Sequence, residues 1–353
     1  MLQQLNLFRS EFDVGARSHL ADEVARYVEI SREKNVGVLF EQLKKISEGG
    51  KRIRPFLVWQ IAQLGTSSDS YENMEPLLFA VEFFHIFCII HDDVMDEATI
   101  RHGTPTLHHF AEKNIYKNVS AARSRRVAES QAILVGDILF NSVFKLLNLV
   151  SFNQGDQYRE AVQIFHQLVD EVCIGQMIDV DLSTHERVDL GQVVEKNRLK
   201  TARYSFMRPL QIGAILARRS DLFEFCQKFG EDLGILYQVQ DDLLDVIVPQ
   251  EETSKTPFLD VEQNQHTMLT VHIRKTNSKH AQLLDSFAGR LVKSSDHEAL
   301  MRLFVESGAI EYGKEVVEEY EKKIRRTIAE SGLHDKEKKL FTEILQLIMH
   351  RTQ

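Results

Sequence analysis

Phe83-Phe84-His85-Ile86-Phe87-Cys88-Ile89-Ile90-His91-Asp92-Asp93-Val94-Met95-Asp96 is the stretch that decides the fold. It is apolar, of helix length, free of Gly and Pro, and runs straight into three carboxylates. On a helix Asp92 and Asp96 share one face, and Asp93 lies one position around. Three carboxylates at the end of a buried helix repel one another. A solvated acidic face would be mixed with Lys, and none stands here. Hard divalent cations with oxygen ligands answer the repulsion. The design recurs where Gly234-Ile235-Leu236-Tyr237-Gln238-Val239-Gln240 runs into Asp241-Asp242-Leu243-Leu244-Asp245. One Asp-Asp-x-x-Asp is a weak signal. Two copies, each ending an apolar helix, predict two acidic walls across a cavity, with metal between them.

Upstream, Ser47-Glu48-Gly49-Gly50-Lys51-Arg52-Ile53-Arg54-Pro55 breaks the helical pattern. The glycines allow a tight turn with bare amides. Three cations follow, and Pro55 suits the first turn of a helix. Cations at a helix N-terminus oppose its dipole. They make sense if a phosphate-like anion sits there; a basic surface turn is the plainer alternative.

The rest of the 353 residues reads as helix. Apolar spacing from Phe12 to Ile46 predicts two helices. Phe56 to Leu64 is a third, Gly65 to Glu75 a polar loop, and Pro76 the expected start of the helix bearing the first acidic motif. Glu97 to Thr106 is turn-rich. Glu112 to Arg126 is basic and reads as a mobile surface loop or short helix. Helices are expected over Gln131 to Val150 and Ile164 to Val180, the latter with Gln176 and Asp179 on one side. Those two are either satisfied packing groups or face the same cavity. Asn197 to Ala217 reads as a helix interrupted midway. Phe223 to Ile247 carries the second motif, Pro249 to His266 is a polar loop, and amphipathic helix runs from Leu283 to the end. There is no strand-like alternation and no linker, so residues 1–353 are expected to form one all-α domain.

Composition narrows the function. Hydrophobic residues make up 43% and charged residues 27%, a soluble globular balance, and the net charge of -9 argues against nucleic acid as a partner. Cys88, Cys173 and Cys226, widely spaced among apolar residues, read as reduced core thiols of a cytoplasmic protein. Met1 to Ala16 lacks the pattern of a signal peptide, and no apolar run is expected to span a membrane. Carboxylate clusters with separate cations describe a polyanion held through Mg2+, and the Phe, Ile and Leu around them imply an apolar organic part. A hydrocarbon on a diphosphate meets both demands.

These motifs, with Gly175-Gln176-Met177-Ile178-Asp179 and Lys200-Thr201-Ala202 between them, come in an order that resembles the trans-isoprenyl diphosphate synthases, or polyprenyl synthetases. The match runs from about Phe40 to the C-terminal helices. The resemblance implies a large all-α helical bundle around a central active-site cavity, usually a homodimer. It implies that isopentenyl diphosphate attacks the cation left when an allylic diphosphate ionises. Asp92 and Asp96 would bind two Mg2+ ions and Asp241 a third, with Mn2+ as a substitute, and Asp93 and Asp245 would support the clusters. Arg101, Lys200 and Lys255 would hold the allylic diphosphate. Gly50, Lys51, Arg54 and His85 would hold isopentenyl diphosphate. Thr201 and Gln238 would turn oxygen dipoles to the developing cation, and Gln176 would line the substrate site.

Two departures stand out. The family usually has a second Arg where this chain has His102, and His266 stands where a Lys is usual near the end of the loop after the second motif. Both exchange a permanent cation for one mostly neutral near pH 7. The alternatives are a terpene cyclase or head-to-head synthase, or a non-catalytic subunit of a heteromeric synthase. The Gly-Gly-Lys-Arg element argues against the first, because it serves a second, homoallylic diphosphate. Two intact acidic motifs argue against the other. Product length follows from helix geometry. Cys88 and Phe87, four and five residues before Asp92, lie just over one turn deeper, and Phe84 lies two turns deeper. Phe84 and Phe87 are either ordinary core or a tunnel floor. By the resemblance, one aromatic five residues before the motif goes with geranylgeranyl diphosphate (C20), with farnesyl diphosphate (C15) the next expectation.

Overall fold

Six Pro and 17 Gly leave long stretches free to propagate helix, and the computed structural model is built almost wholly of it. It describes residues 1–31, 33–65, 71–101, 103–153, 155–247 and 257–350. The chain forms two compact units, Leu2–Val162 and Gln163–Gln353, Met1 grouping with the second.

The first unit begins with α1 (Leu2–Ile30), α2 (Lys34–Ser47), α3 (Ile53–Ala62) and α4 (Tyr71–Met95). A two-residue pair follows, β1 (Ile100–Arg101) antiparallel to β2 (Thr104–Pro105), then α5 (Leu107–Asn114) and α6 (Ala121–Asn153). α4 packs along α6 through apolar side chains. Phe87 stacks on Phe140 with ring centroids 4.8 Å apart, and on Phe84 at 5.6 Å. α1 adds Phe8 and Phe12, both buried, against Phe56 and Phe79. α4 begins five residues before Pro76, the expected start; a proline this far in lacks the amide that would bond back into the first turn. α6 takes in the end of the basic stretch 112–126. Against the sequence expectation, its span Ala121–Val150 is long and apolar enough to cross a membrane by length and composition. Its inner residues, among them Val135, Leu139 and Val143, are buried, as in a core helix.

The second unit holds most of α7 (Asp156–Leu182), then α8 (Leu190–Asn197), a π-helical segment (Arg198–Met207), α9 (Arg208–Leu216) and α10 (Phe223–Ile247). After it come α11 (Leu259–Glu262), α12 (Met268–Thr276), α13 (Ser278–Asp285), α14 (His297–Glu306), α15 (Ala309–Glu330) and α16 (Asp335–Met349). α10 is the axis, packed on the π-helical segment and on α15. Local chemistry sets the starts. Asp189 and Gln192 form a capping box at α8, each accepting the other's backbone N–H at 3.0 Å. Thr267 and Thr270 do the same at α12. Of the three cysteines, all free, only Cys226 is buried; Cys173 is exposed on α7, correcting its reading as a core thiol.

Candidate active site

Each unit carries one acidic motif at the C-terminal end of a helix. In the first, the middle carboxylate is the anchor. Asp93 is 1% exposed, whereas Asp92 and Asp96 are half-buried. Arg101 reaches back from β1 and donates to Asp93 Oδ1 through Nε at 2.9 Å and Nη2 at 2.6 Å, with Asp92 Oδ2 3.9 Å away. The hairpin that places Arg101 turns through Gly103 at φ 73° and is held by the Thr106 hydroxyl donating to the Ala98 carbonyl at 2.6 Å. Burial pushes the Asp93 carboxyl up to about 6; Arg101 pulls it down and Asp92 adds to the rise.

The second motif repeats this with a different anchor. Asp242 is 4% exposed, while Asp241 and Asp245 are half-buried. Burial, then the charges of Asp260 and Asp241, hold the Asp242 carboxyl well above the usual range. Gln238 Nε2 donates to Asp242 Oδ1 at 2.9 Å, and the Thr201 hydroxyl donates to Gln238 Oε1 at 2.8 Å. Thr201 and Gln238 are thus brought together as one chain of dipoles rooted on Asp242. Sequence reasoning passed over Asp242 as an anchor; its place in the repeat, matching Asp93, was the available signal. Asp245 accepts the Asp260 amide at 3.4 Å, and its carbonyl accepts the Phe258 amide at 3.1 Å.

Lys200 and Thr201 lie in the π-helical segment, a form that concentrates at functional sites. Glycines let neighbouring helices approach it. A Cβ at Gly175 of α7 would sit 2.4 Å from the Lys200 amide nitrogen, and one at Gly234 of α10 would sit 2.2 Å from Ala202 Cα. Lys200 Nζ stands 2.6 Å from Asp179 Oδ2, and Lys196 Nζ stands 2.9 Å from Oδ1. Asp179 is therefore a buried counter-ion to two lysines, three residues along α7 from Gln176. Lys196 also donates to the His266 carbonyl at 3.0 Å.

His266 itself is 2% exposed. Its Nε2 meets the His185 carbonyl and its Nδ1 meets Arg274 Nη1, each at 3.0 Å. Burial first, then Arg274, lowers its pKa. The ring is a wedge inside the second unit. His102 and Lys255 lie outside the described residues.

In the first unit the Gly49–Pro55 turn has Gly50 at φ 100° and Arg52 at φ 55°. Lys51 and Arg54 are half-buried, and His85 lies on α4. Arg52, one of the three cations the sequence presents together, is turned inward. Phe87 lies in the stack with Phe84, Phe140 and His91, its ring centroid 4.4 Å from that of His91; Cys88 is half-buried beside it.

The donor chemistry fits Mg2+. Each cluster concentrates hard oxygen donors around a carboxylate that burial and like charge hold high, and a divalent cation relieves that repulsion. Among the described residues no three His, Cys, Asp or Glu side chains form a metal centre by themselves. Mg2+ commonly binds through one or two carboxylates, completing its shell with water and substrate phosphate.

The Polyprenyl synthetase family profile matches residues 36–304. Geranylgeranyl diphosphate synthase of Methanosarcina mazei is 29% identical over 276 residues, 78% of each chain. Geranylfarnesyl diphosphate synthase of Aeropyrum pernix is 27% identical over 316 residues, 88% of this chain and 93% of its own. Geranylgeranyl pyrophosphate synthase from Corynebacterium glutamicum, complexed with isoprenyl diphosphate and magnesium, superposes with a TM-score of 0.86 over 97% of this chain and 99% of its own, at 24% identity.

Proposed function

This chain belongs to the polyprenyl synthetase family and is a prenyltransferase, and we propose that it is a Mg2+-dependent head-to-tail synthase. It would condense isopentenyl diphosphate with allylic diphosphates into a short all-trans product. The observation that carries this is the pairing of two acidic clusters with a separate Gly-Gly-Lys-Arg-x-Arg loop. A cyclase needs a single diphosphate, whereas elongation needs a second diphosphate seat.

Bound at Asp92 and Asp96 and at Asp241, Mg2+ would supply charge neutralisation for the departing diphosphate; three ions are expected, and Mn2+ would substitute. Asp93 and Asp242 keep the clusters in place, the first through Arg101 and the second through Gln238. Asp245 supports the second. Arg101, Lys200 and Lys255 hold the allylic diphosphate, with Gln176 lining the substrate site, and His102 adds a weaker contact to isopentenyl diphosphate. Breaking the allylic C–O bond leaves a carbocation. The Thr201 and Gln238 oxygens stabilise it as fixed dipoles. Gly50, Lys51, Arg54 and His85 hold isopentenyl diphosphate as its double bond forms the new C–C bond. A proton then leaves to the released pyrophosphate, giving an allylic diphosphate five carbons longer.

Geranylgeranyl diphosphate is the proposed main product and farnesyl diphosphate the next, with Phe87 as tunnel floor and Cys88 leaving room beside it. Relatives named geranylgeranyl and geranylfarnesyl diphosphate synthase support the short-chain class. Residues 1–353 act as one domain in the cytoplasm, without membrane insertion or nucleic acid. The exposed apolar residues Ile133, Leu134, Ile138 and Phe144 on α6 support pairing with a second copy as a homodimer. Incubation with Mg2+, labelled isopentenyl diphosphate and each allylic primer, with products resolved by length, tests the proposal. Label in a C20 or C15 diphosphate is expected; no label in any polyprenyl product refutes it.

A further inference from the structure

The middle cation of the Gly49–Pro55 motif behaves unlike its neighbours. The Arg52 side chain is 4% exposed. Its Nε donates to Asp13 Oδ1 at 2.7 Å, its Nη1 to Glu82 Oε1 at 2.8 Å, and its Nη2 to the Ser47 carbonyl at 2.5 Å. Each acceptor comes from a different helix: Asp13 from α1, Ser47 from the end of α2, Glu82 from α4. A planar guanidinium donates from three nitrogens spread across its fork and so reaches three separated acceptors at once, whereas the three N–H groups of an ammonium radiate from a single nitrogen. The backbone pays for this seat with φ 55° at a residue that carries a Cβ, a conformation kept only when its surroundings over-determine it. Gly50 is shaped to the same purpose. At φ 100°, a Cβ there would lie 3.2 Å from Arg52 Nη1, so the guanidinium sits directly under the Gly50 backbone.

We infer that Arg52 is a positioning residue and not a diphosphate ligand: clamped by Asp13, Glu82 and Ser47, it fixes the loop that presents Lys51 and Arg54, and registers that loop against His85. Glu82 stands three residues before His85 on α4, so the clamp ties the loop to the helix that carries the fourth binding group. A diphosphate reaching Arg52 would have to break three short hydrogen bonds inside a cleft walled by Phe12, Phe83 and Ile86. Asp13 and Glu82 bring two negative charges to a basic loop. Arg101 and Lys200 are also paired with carboxylates but keep 30% and 26% side-chain exposure, whereas Arg52 at 4% turns no face to an incoming anion. The role rests on the reading of this loop as the isopentenyl diphosphate seat.

Two variants separate a clamp from a ligand. Arg52→Lys keeps the charge and loses the fork. Asp13→Asn keeps the shape and removes a negative charge near the loop. If Arg52 bound diphosphate directly, Asp13→Asn would remove a competing carboxylate and lower KM for isopentenyl diphosphate. The clamp predicts that both raise that KM, by about tenfold for the loss of one charge-assisted bond's worth of positioning. KM for the allylic diphosphate should stay within about twofold and kcat should change little. Calorimetric titration of wild-type protein with isopentenyl diphosphate runs alongside. Wild type that does not bind it refutes the functional reading. Wild type that binds it, with KM unchanged or lowered in Asp13→Asn, refutes the clamp alone. Asp13 keeps 15% exposure, so its isosteric variant is expected to fold, and it decides the matter if Arg52→Lys does not.

Discussion

Adding one methyl group at Gly175 should displace Lys200. An ideal Cβ there lies 2.4 Å from Lys200 N, 2.8 Å from Lys200 Cα and 2.9 Å from Leu199 C, all backbone atoms that cannot rotate aside. Ordinary contact begins at 3.4 Å, so the shortfall is 3.4 − 2.4 = 1.0 Å. The π-helical segment must shift by about that much. Overpacking of this kind costs about 1–3 kcal/mol of stability. A shift of about 1 Å in a group that positions substrate costs about 100-fold in rate. Gly175→Ala should therefore lower kcat/KM for the allylic diphosphate by about two orders of magnitude while the protein remains folded. Gly332→Ala, where a Cβ would meet nothing within 4 Å, is the control and should match wild type. Steady-state kinetics with thermal melts of all three proteins measure this. A folded Gly175→Ala protein with wild-type kcat/KM would refute the claim that close packing of α7 places Lys200.

Asp92→Ala and Asp241→Ala should each lower turnover by about three orders of magnitude or more, because in the proposed mechanism metal neutralisation of the leaving group is the main transition-state contribution; a chelator titration of wild type should abolish turnover in parallel. Phe87→Ala should lengthen the main product by at least one five-carbon unit and Cys88→Phe should shorten it, read by product chromatography. Because Phe87 also stacks on Phe140, a loss of melting temperature is expected with the first variant. Acid stability should depend on Glu23. Burial works against its charge, but hydrogen bonds from Tyr27, Lys145 and Arg26 outweigh burial and lower its pKa from 4.5 to about 2. A depressed carboxylate stabilises the fold above its unfolded value and stops doing so as pH falls through its folded value. Urea midpoints should thus drop between about pH 4.5 and 2, and Glu23→Gln should flatten that part of the profile.

Local pattern carried much of the fold and part of the site. The run from Phe223 to Ile247 is a helix with those bounds, because its apolar spacing is helical throughout and no Pro interrupts it. The break expected within Asn197 to Ala217 is present, yet its form as a π-helix depends on Gly175 and Gly234, residues on other helices, and no local pattern states that. Asp92, Asp96 and Asp241 were legible as presented carboxylates from periodicity. Asp242 as the root of the Thr201–Gln238 chain was not, since its partners are decided by which side of α10 the π-helical segment packs against. Arg52 and Lys51 are indistinguishable as adjacent cations in sequence. They part only when Asp13 arrives from 39 residues away and Glu82 from 30. His266 is another case. In sequence it stands near the end of a loop as a mostly neutral replacement for a cation, and the carbonyl of His185 and the side chain of Arg274 make it core.

The stoichiometry of a single incubation tests head-to-tail elongation most directly: pyrophosphate released and isopentenyl diphosphate consumed, counted together in Mg2+ with dimethylallyl diphosphate as primer. Head-to-tail elongation predicts one pyrophosphate per isopentenyl diphosphate consumed, and a linear product that keeps its own diphosphate. Pyrophosphate released from an allylic diphosphate with no isopentenyl diphosphate consumed would contradict it and point to cyclisation or head-to-head coupling.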